Sequence, residues 1–149
     1  TYMQQIGGFE LRPVPGEITY GLERIALYIQ GVDKIADIDW TGKTGDKALS
    51  YAEVDFEAEK QFSHFNLEYA DTEMLFRHFE DAEKQCNFLI EKNLPLPAYD
   101  FCIKASHYFN LLDARGVISV TERASYIGRV RYLAKTCCQN WLEKTDGAI

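Results

Sequence analysis

One stripe of apolar residues in the middle of the chain limits the possible folds more than any other feature. At alternating intervals of four and three residues it runs through Leu75, Phe79, Ala82, Cys86 and Leu89. Because an α-helix completes a turn every 3.6 residues, this spacing places all five side chains on one helical face. Asp71 and Thr72, just before the stripe, are the N-cap candidates of the predicted helix.

The helical pattern continues after the interruption "NLPLPAYD". The sequence predicts a further helix from Ala98 to Phe109. "SVTE" at 119–122 then has the form of a capping box, with serine at the N-cap and glutamate three residues later. A long stripe follows it through Val120, Ala124, Ile127, Arg131, Ala134, Cys138 and Trp141. We therefore expect a bundle of three or four helices in this half of the chain.

Residues 1–19 carry the alternation and composition of β-strands instead. "TYMQQI" and "FELRPV" flank Gly7-Gly8, which predicts two strands joined by a hairpin turn or a bulge. "GEIT" at 16–19 predicts a further short strand. The chain therefore combines a small sheet with helices, and its predicted fold class is α+β.

A helix is expected to begin at Leu22, directly after the strand-like segment. Leu22, Ile25, Ala26 and Ile29 share one helical face, and Gly31 is well placed to end the helix. The segment 32–50, rich in glycine and aspartate, predicts a loop.

The composition excludes several classes of protein. A net charge of −7 argues against general nucleic-acid binding, so any RNA contact must be a local patch or belong to a partner. No apolar run approaches the roughly 18 residues that a membrane span requires, and no signal-peptide pattern is present. The four cysteines lack the spacing of a zinc site, which favours reduced thiols and a cytoplasmic protein.

The turn between strand and helix, in "GEITYGLERIALYIQG", concentrates charged residues. Arg24 lies in the first helical turn, where free N–H groups and the helix dipole favour a bound anion. Its planar guanidinium suits phosphate, and Gly21 leaves the backbone open to a bulky ligand. Glu17 could accept a hydrogen bond from an ammonium group or help to hold Mg²⁺. Alternatively, Glu23 and Arg24 are ordinary solvated residues of a first helical turn.

"GEITYGLERIALYIQGVD" resembles motif 3 of the class II aminoacyl-tRNA synthetases, a strand that runs into a helix carrying an ATP-binding arginine. With "TYMQQIGGFELRPVP" before it and "LPLPAYDFCIKASHYFNLLDARGVISVTER" after it, the chain resembles the α subunit of bacterial glycyl-tRNA synthetases. A more distant resemblance links it to the catalytic domain of alanyl-tRNA synthetases. The resemblance implies a catalytic-core portion at 1–50 that includes motif 3, and a helical domain at 51–149.

The resemblance also implies roles for individual residues. Arg24 matches the arginine that packs over adenine and pairs with an ATP phosphate, with Gly21 and Glu23 beside it in the nucleotide site. Glu17 falls where the alanine enzyme has the aspartate that binds the amino group. Thr19 replaces a glycine and would shorten the pocket, as a site for glycine requires.

Strand residues complete the implied site. At least one of Gln4 and Gln5 should face the pocket, and both could do so only with a bulge, because side chains alternate along a strand. Glu10 is the candidate contact for Mg²⁺. The implied reaction joins glycine to ATP as glycyl-adenylate and then transfers glycine to tRNA(Gly).

The implied partners are a β subunit, which makes most of the tRNA contacts, and a second α subunit. Motifs 1 and 2 of the class II enzymes are not visible, so we expect a C-terminal part of a longer subunit that is inactive alone. The alternatives are a non-catalytic helical interaction module and a catalytic piece of the alanyl-tRNA synthetase type.

Two groups of residues in the helical half have both a structural and a binding interpretation. Asp113, Arg115, Glu122 and Arg123 could tie a helix corner by ion pairs, or could form a surface for the β subunit or tRNA. A basic and aromatic stripe on the last helix could meet RNA or simply be solvated: Tyr126, Arg129, Arg131, Tyr132 and Lys135.

Overall fold

The computed structural model describes residues 1–6, 8–42 and 48–145, and the chain divides into two compact units. The first unit comprises Thr1 and Gly16–Phe65, and the second comprises Tyr2–Pro15 and Asn66–Ile149. Most described residues are helical, and a small two-stranded antiparallel sheet accompanies them, which is compatible with the predicted α+β class. The domain boundary after residue 50 stays a prediction.

The elements follow one another along the chain in a simple order. They are β1 (Gln5–Ile6), β2 (Phe9–Glu10), α1 (Leu22–Gln30), a 3-10 helix (Ile35–Asp37), α2 (Tyr51–His64), a π-helical turn (Phe65–Tyr69), α3 (Thr72–Glu91), α4 (Pro95–Ala114) and α5 (Val120–Thr145). Among the described residues, no helix is both long enough and apolar enough to cross a membrane.

The predicted hairpin is present in the second unit, although its strands are only two residues long. Gln5 pairs with Glu10 and Ile6 with Phe9 in an antiparallel register. Gly8 has φ +89°, a backbone conformation that glycine adopts without strain. Gly7, the other residue of the predicted turn, lies outside the described residues.

The strand predicted at "GEIT" is wrong. Glu17 donates a backbone hydrogen bond to the carbonyl of Thr1 (2.7 Å), but within the described chain no ladder continues through 18–20. A strand exists only while a neighbour pairs with it, so the β-type composition of this segment was not sufficient. The segment instead runs irregularly up to α1.

Helix α1 begins and ends where the sequence indicates. It spans Leu22–Gln30, and Gly31 ends it in the left-handed conformation with its N–H bonded to the carbonyl of Leu27. None of its nine residues, all of which the structure describes, is buried. Tyr28 and Ile29 are 85% and 79% exposed.

The predicted loop at 32–50 contains more structure than its composition suggested. Its residues 35–37 form the 3-10 helix, and Asp39 bridges Ser50 in antiparallel fashion. Residues 43–47 of this prediction lie outside the described residues. Ser50 then starts α2 with a capping box, because its hydroxyl accepts from the N–H of Glu53 while the Glu53 carboxylate accepts from the Ser50 N–H.

The core of the second unit lies between α3, α4 and α5. The stripe predicted for α3 is confirmed, since Leu75, Phe79, Ala82 and Cys86 are buried. Asp71 is the N-cap, accepting a hydrogen bond from the N–H of Met74 at 3.1 Å. Facing residues from the other two helices complete the cluster around Phe79, among them Ala98, Cys102, Ala105, Phe109, Leu133 and Cys137.

Helix α4 is longer than predicted at both ends. It begins at Pro95 rather than Ala98 and ends at Ala114 rather than Phe109. Proline is favoured in the first turn of a helix because that position has no intrahelical N–H bond to lose. The segment "NLPLPAYD", which we interpreted as an interruption of the helical pattern, therefore already contains the start of α4 at Pro95.

The face predicted for α5 is displaced by about one residue. The buried residues are Leu133, Cys137 and Asn140, whereas Trp141 is 44% exposed. Apolar residues stand side by side at 133–134 and 137–138, so a shift of one position leaves the pattern almost equally good. The other predicted members are exposed or only partly buried: Val120, Ala124, Ile127, Arg131, Ala134 and Cys138.

One ion pair, a hydrogen bond to a backbone carbonyl and a capping box hold the corner between α4 and α5, in line with the structural interpretation. The Ser119 hydroxyl accepts from the N–H of Glu122, and the Ser119 N–H donates to the Glu122 carboxylate (2.9 Å). Hydrogen bonds to this carboxylate from the Ser119 side chain and from its backbone N–H lower the pKa of Glu122. Arg123 lies 3.1 Å from both carboxylate oxygens of Asp113. Arg115 donates to the carbonyl of Ala70 at 2.7 Å.

The basic and aromatic stripe on α5 does not form one patch. The ring of Tyr126 stacks on Phe109, with centroids 5.9 Å apart, and meets Phe79 edge-on. Arg129 forms a two-pronged ion pair with Glu83 and covers the Phe79 ring. Tyr126 and Arg129 therefore pack against the core of the bundle. The exposed residues of the stripe are Arg131, Tyr132 and Lys135.

Three of the four thiols are buried in the bundle. The Sγ atoms of Cys86 and Cys137 lie 3.7 Å apart, and all four cysteines are free. Burial raises the pKa of Cys102 to about 11 and also raises those of Cys86 and Cys137. These side chains consequently stay neutral and pack as small apolar groups.

Candidate functional site

A cleft of about 560 Å³ opens at the start of α1 in the first unit. Its lining combines charged, polar and apolar residues: Thr19, Tyr20, Gly21, Glu23, Arg24, Leu27 and Ile35. Four of these residues, Thr19, Gly21, Glu23 and Arg24, were singled out from the sequence as ligand contacts. The structure therefore brings most of the predicted turn site together in one concavity.

The backbone at Gly21 shapes the entrance to this cleft. Gly21 is the N-cap of α1 with φ +72°, and no side chain caps the helix start. A Cβ at this position would meet no atom within 4 Å, so the space above it is open. The uncapped N–H groups of the first turn thus face a region that a ligand could enter.

The guanidinium of Arg24 is available for a ligand. Arg24 is exposed, and across the described residues no carboxylate lies within ion-pair distance of it. Glu23, its neighbour in the first helical turn, is likewise exposed and lines the same cleft. An unpaired cation beside a helix N-terminus is an arrangement that favours phosphate.

Glu17 and Thr19 act as a pair at the edge of the cleft. The hydroxyl of Thr19 donates a hydrogen bond to the Oε1 of Glu17. The Glu17 backbone is held by its hydrogen bond to Thr1. Because a carboxylate can accept about four hydrogen bonds, Glu17 keeps acceptor capacity for an ammonium group.

The far end of α1 is tied to the segment that follows it. The side chain of Gln30 donates to the carbonyl of Asp39 (3.0 Å) and accepts from its N–H (2.7 Å). Ile38, next to this contact, is buried, and its carbonyl accepts from the N–H of Tyr51 at the start of α2. These contacts fix the direction of α1 within the first unit.

Gln4, Gln5 and Glu10 form a second group, which belongs to the other unit. All three line a separate cleft together with Leu11, Arg12 and Val14. Gln4 lies in a bend directly before β1 rather than within the strand, so strict strand alternation does not apply to it. Both glutamines can therefore line one cleft without a bulge.

Comparison with known proteins decides the family. A family model described as "Glycyl-tRNA synthetase alpha subunit" matches residues 1–146. The chain belongs to this family. "Glycine--tRNA ligase alpha subunit" of Rickettsia bellii (strain OSU 85-389) is 71% identical over 143 residues, covering 96% of this chain and 50% of the relative.

Other members of the glycyl-tRNA synthetase alpha subunit family agree. The protein of the same name from Rickettsia canadensis (strain McKiel) is 68% identical over 146 residues, covering 98% of this chain and 51% of the relative. That of Rickettsia typhi (strain ATCC VR-144 / Wilmington) is 69% identical over 143 residues, with 96% and 50% coverage. The chain spans about half the length of the curated relatives it matches.

The carboxylates of the described residues could hold a magnesium ion only if phosphate oxygens of a bound nucleotide supplied further ligands. Among the described residues, no group of three or more His, Cys, Asp and Glu side chains is arranged to hold a metal. Mg²⁺ in nucleotide sites commonly takes one or two carboxylates and the substrate's phosphate oxygens. Glu10 lies 3.7 Å from the guanidinium of Arg12, so a cation already neighbours the predicted metal contact.

Sequence reasoning missed three residues of the turn cleft. Leu27 follows Arg24 by three positions and therefore shares its helical face, a signal that helical periodicity provides. Tyr20 and Ile35 had no comparable signal, since one precedes the helix and the other lies in a segment interpreted as loop. Together they give the cleft an apolar wall that a flat ring could contact.

Proposed function

We propose that this chain is part of the alpha subunit of a glycine–tRNA ligase and contributes one wall of its amino-acid and nucleotide site. The family supports a role in glycyl-tRNA synthesis. The observation that carries the proposal is the unpaired Arg24 in a cleft beside the Glu17–Thr19 pair. This arrangement offers a cation to phosphate and an anion to an ammonium group, the two ends of the substrates in adenylate formation.

In the proposed reaction, a carboxylate oxygen of glycine attacks the α-phosphorus of ATP. A new oxygen–phosphorus bond forms glycyl-adenylate, and the bond to the bridging oxygen breaks to release pyrophosphate. The 3′-terminal ribose hydroxyl of tRNA(Gly) then attacks the glycyl carbonyl, and AMP leaves. The residues contribute by positioning the substrates and stabilising charge.

Arg24 holds the nucleotide in this scheme. Its guanidinium donates to a phosphate oxygen, and its face can stack on adenine, because the delocalised cation suits both contacts. Gly21 leaves room for the nucleotide, while Glu23 lies next to it in the first turn. The motif 3 assignment of this segment belongs to the proposal.

Glu17 binds the ammonium of glycine, and Thr19 limits the size of the amino acid. The hydrogen bond between them fixes the Glu17 carboxylate and places the Thr19 side chain at the cleft. An added methyl on the substrate would then meet Thr19, which is how a site selects the smallest amino acid.

Within the second unit, we propose Gln4 and Gln5 as further substrate contacts and Glu10 as a contact for Mg²⁺, as the family resemblance implies. The glutamines offer amide donors and acceptors to glycine or ribose. Glu10 would hold Mg²⁺, which when bound with ATP neutralises phosphate charge. We also propose a β subunit, tRNA(Gly) bound mainly through it, and a second α subunit as partners.

Glycine-dependent ATP–pyrophosphate exchange tests the proposed function. The intact subunit with its β partner is expected to catalyse the exchange, and the 149-residue chain alone is expected to be inactive because it supplies one wall of the site. Failure of the intact enzyme would refute the proposed reaction. Exchange by the isolated chain would instead refute the need for further parts.

Replacing Thr19 with glycine is expected to raise the kcat/KM for alanine relative to that for glycine by about tenfold. The space freed by the substitution admits the methyl group of alanine. The expected effect is modest because one methyl group changes discrimination by size only about 10- to 200-fold. Thr19→Ser is the matched control, because it keeps the hydroxyl that donates to Glu17. Steady-state exchange with both amino acids measures the ratio, and an unchanged ratio in Thr19→Gly would contradict the role of Thr19.

A further inference from the structure

An exposed surface on α5 remains unexplained by the proposed aminoacylation site. We call Arg131, Tyr132 and Lys135 the α5 surface. Tyr132 is 60% exposed, and both cations are exposed. Together with Gln5, Gly8 and Gly128, these residues line a cleft of about 640 Å³ in the second unit.

The charge of the α5 surface is uncompensated. Arg131 and Lys135 stand four residues apart on one helical face, and in the described part of the chain neither forms an ion pair. Like charges at this spacing on a helix repel each other. In a chain with net charge −7, two adjacent unpaired cations form a local anion-binding patch.

Three other cations of the bundle are paired within the fold, whereas Arg77 and Lys84 on α3 are exposed and without an ion pair among the described residues, so they provide a comparison for the α5 surface. Arg123 and Arg129 are held by Asp113 and Glu83, and Lys104 lies 2.8 Å from Asp100. The positive charges of Arg123, Arg129 and Lys104 are therefore neutralised by carboxylates of the same fold. The α5 surface therefore has both the charge and the freedom to meet a separate molecule.

The shape of the cleft favours a flat group between the cations. Tyr132 follows Arg131 directly and stands one turn before Lys135, and all three line the cleft together with Gly128, which adds no side chain. Gln5 contributes an amide at the opposite edge, which can donate and accept hydrogen bonds. An exposed aromatic ring flanked by cations is the arrangement that binds unpaired bases and their phosphates.

We propose that the α5 surface binds a single-stranded segment of RNA. Phosphates contact Arg131 and Lys135, and one base stacks on Tyr132. An acidic peptide would satisfy the cations equally well but would leave the ring without a flat partner. This inference extends the proposed function, whose second substrate is an RNA, to a surface outside the turn cleft.

Fluorescence anisotropy of a labelled 12-nucleotide single-stranded RNA tests the proposal in the intact subunit, without ATP or glycine. Arg131→Ala/Lys135→Ala is expected to weaken binding and to reduce the slope of log K against log salt by about 1.4, since each lost contact contributes about 0.7. Tyr132→Leu is expected to weaken binding about tenfold. The matched control, Arg77→Ala/Lys84→Ala, removes two exposed cations of α3 and should have neither effect.

Two outcomes would overturn this assignment. Equal losses in the α5 and α3 double variants would show general electrostatic attraction. Full binding by Tyr132→Leu, with a polyglutamate peptide displacing the RNA, would indicate a protein partner instead. Arg24→Ala separates the two proposals, because it should leave RNA binding intact whether or not it stops pyrophosphate exchange.

Discussion

Replacing Arg24 with alanine in the intact subunit is expected to lower glycine-dependent ATP–pyrophosphate exchange by 100-fold or more. A charged donor that faces the reacting phosphates contributes about this much when it acts in the transition state. Arg24 is exposed and makes no ion pair within the described structure, so its loss should leave the fold unchanged. Exchange rates at saturating and subsaturating ATP measure the effect on kcat and KM.

Arg77→Ala is the matched control for this experiment. Arg77 is an exposed arginine on α3, outside the turn cleft, and its removal changes the net charge by the same amount. We expect its exchange rate to equal that of the wild type. If Arg24→Ala retained more than a third of wild-type exchange with an unchanged KM for ATP, the nucleotide role of Arg24 would be wrong.

Replacing Phe79 with alanine is expected to lower the free energy of unfolding by about 3–5 kcal/mol, as loss of a buried aromatic side chain usually does. Phe79 is fully buried between α3, α4 and α5. Its ring meets Tyr126 edge-on, with centroids 4.7 Å apart, and lies under the guanidinium of Arg129. Removing the ring leaves a cavity. It also removes the contact between the Phe79 ring and the guanidinium of Arg129, which is paired with Glu83.

Phe88→Ala on the same helix provides the comparison. Phe88 is 49% exposed, so its loss removes less apolar contact and opens no closed cavity. Urea unfolding of both variants in the intact subunit, followed by circular dichroism, measures the difference. Similar losses in the two variants would mean that the bundle core is not centred on Phe79.

Periodicity predicted the bundle well where one helical face is apolar and the others are not. In the middle of α3, polar residues stand on both sides of Phe79, Ala82 and Cys86, so a single rotation of the helix fits the pattern. In α5, adjacent pairs such as Leu133-Ala134 and Cys137-Cys138 fit two rotations, and packing against α3 and α4 selects one. The sequence alone could not make that choice, because it depends on the neighbouring helices.

Local signals predicted helix ends better than strands. Gly31 and the capping boxes form their hydrogen bonds within a few residues, so the local sequence is sufficient to predict these helix ends. The capping box at Ser50 has the same sequence signature, but we did not predict it. A strand depends on a distant partner, which explains the error at "GEIT". Partners of surface cations are equally distant, and Glu83 could not be assigned to Arg129 from the sequence.

The grouping of the turn residues in one cleft followed from a short segment of sequence, whereas their binding roles stay predictions. Thr19, Gly21, Glu23 and Arg24 reach one cleft because they flank a single helix start. The roles assigned to Glu17 and Arg24 rest on resemblance and geometry together and stay predictions. Residues of the other unit, such as Glu10, depend on long-range arrangement that a local pattern does not contain.

The attachment of α1 at one end has a consequence for substrate binding. Two hydrogen bonds between the Gln30 side chain and the Asp39 backbone, one in each direction, hold its C-terminal end, whereas none of its nine described residues is buried. Arg24 lies at the opposite end of α1, in its exposed first turn. If the proposed nucleotide binds there, this turn would lose conformational freedom, and part of the binding energy would offset that loss. Contacts that steadied α1 in advance would therefore tighten nucleotide binding without touching the nucleotide.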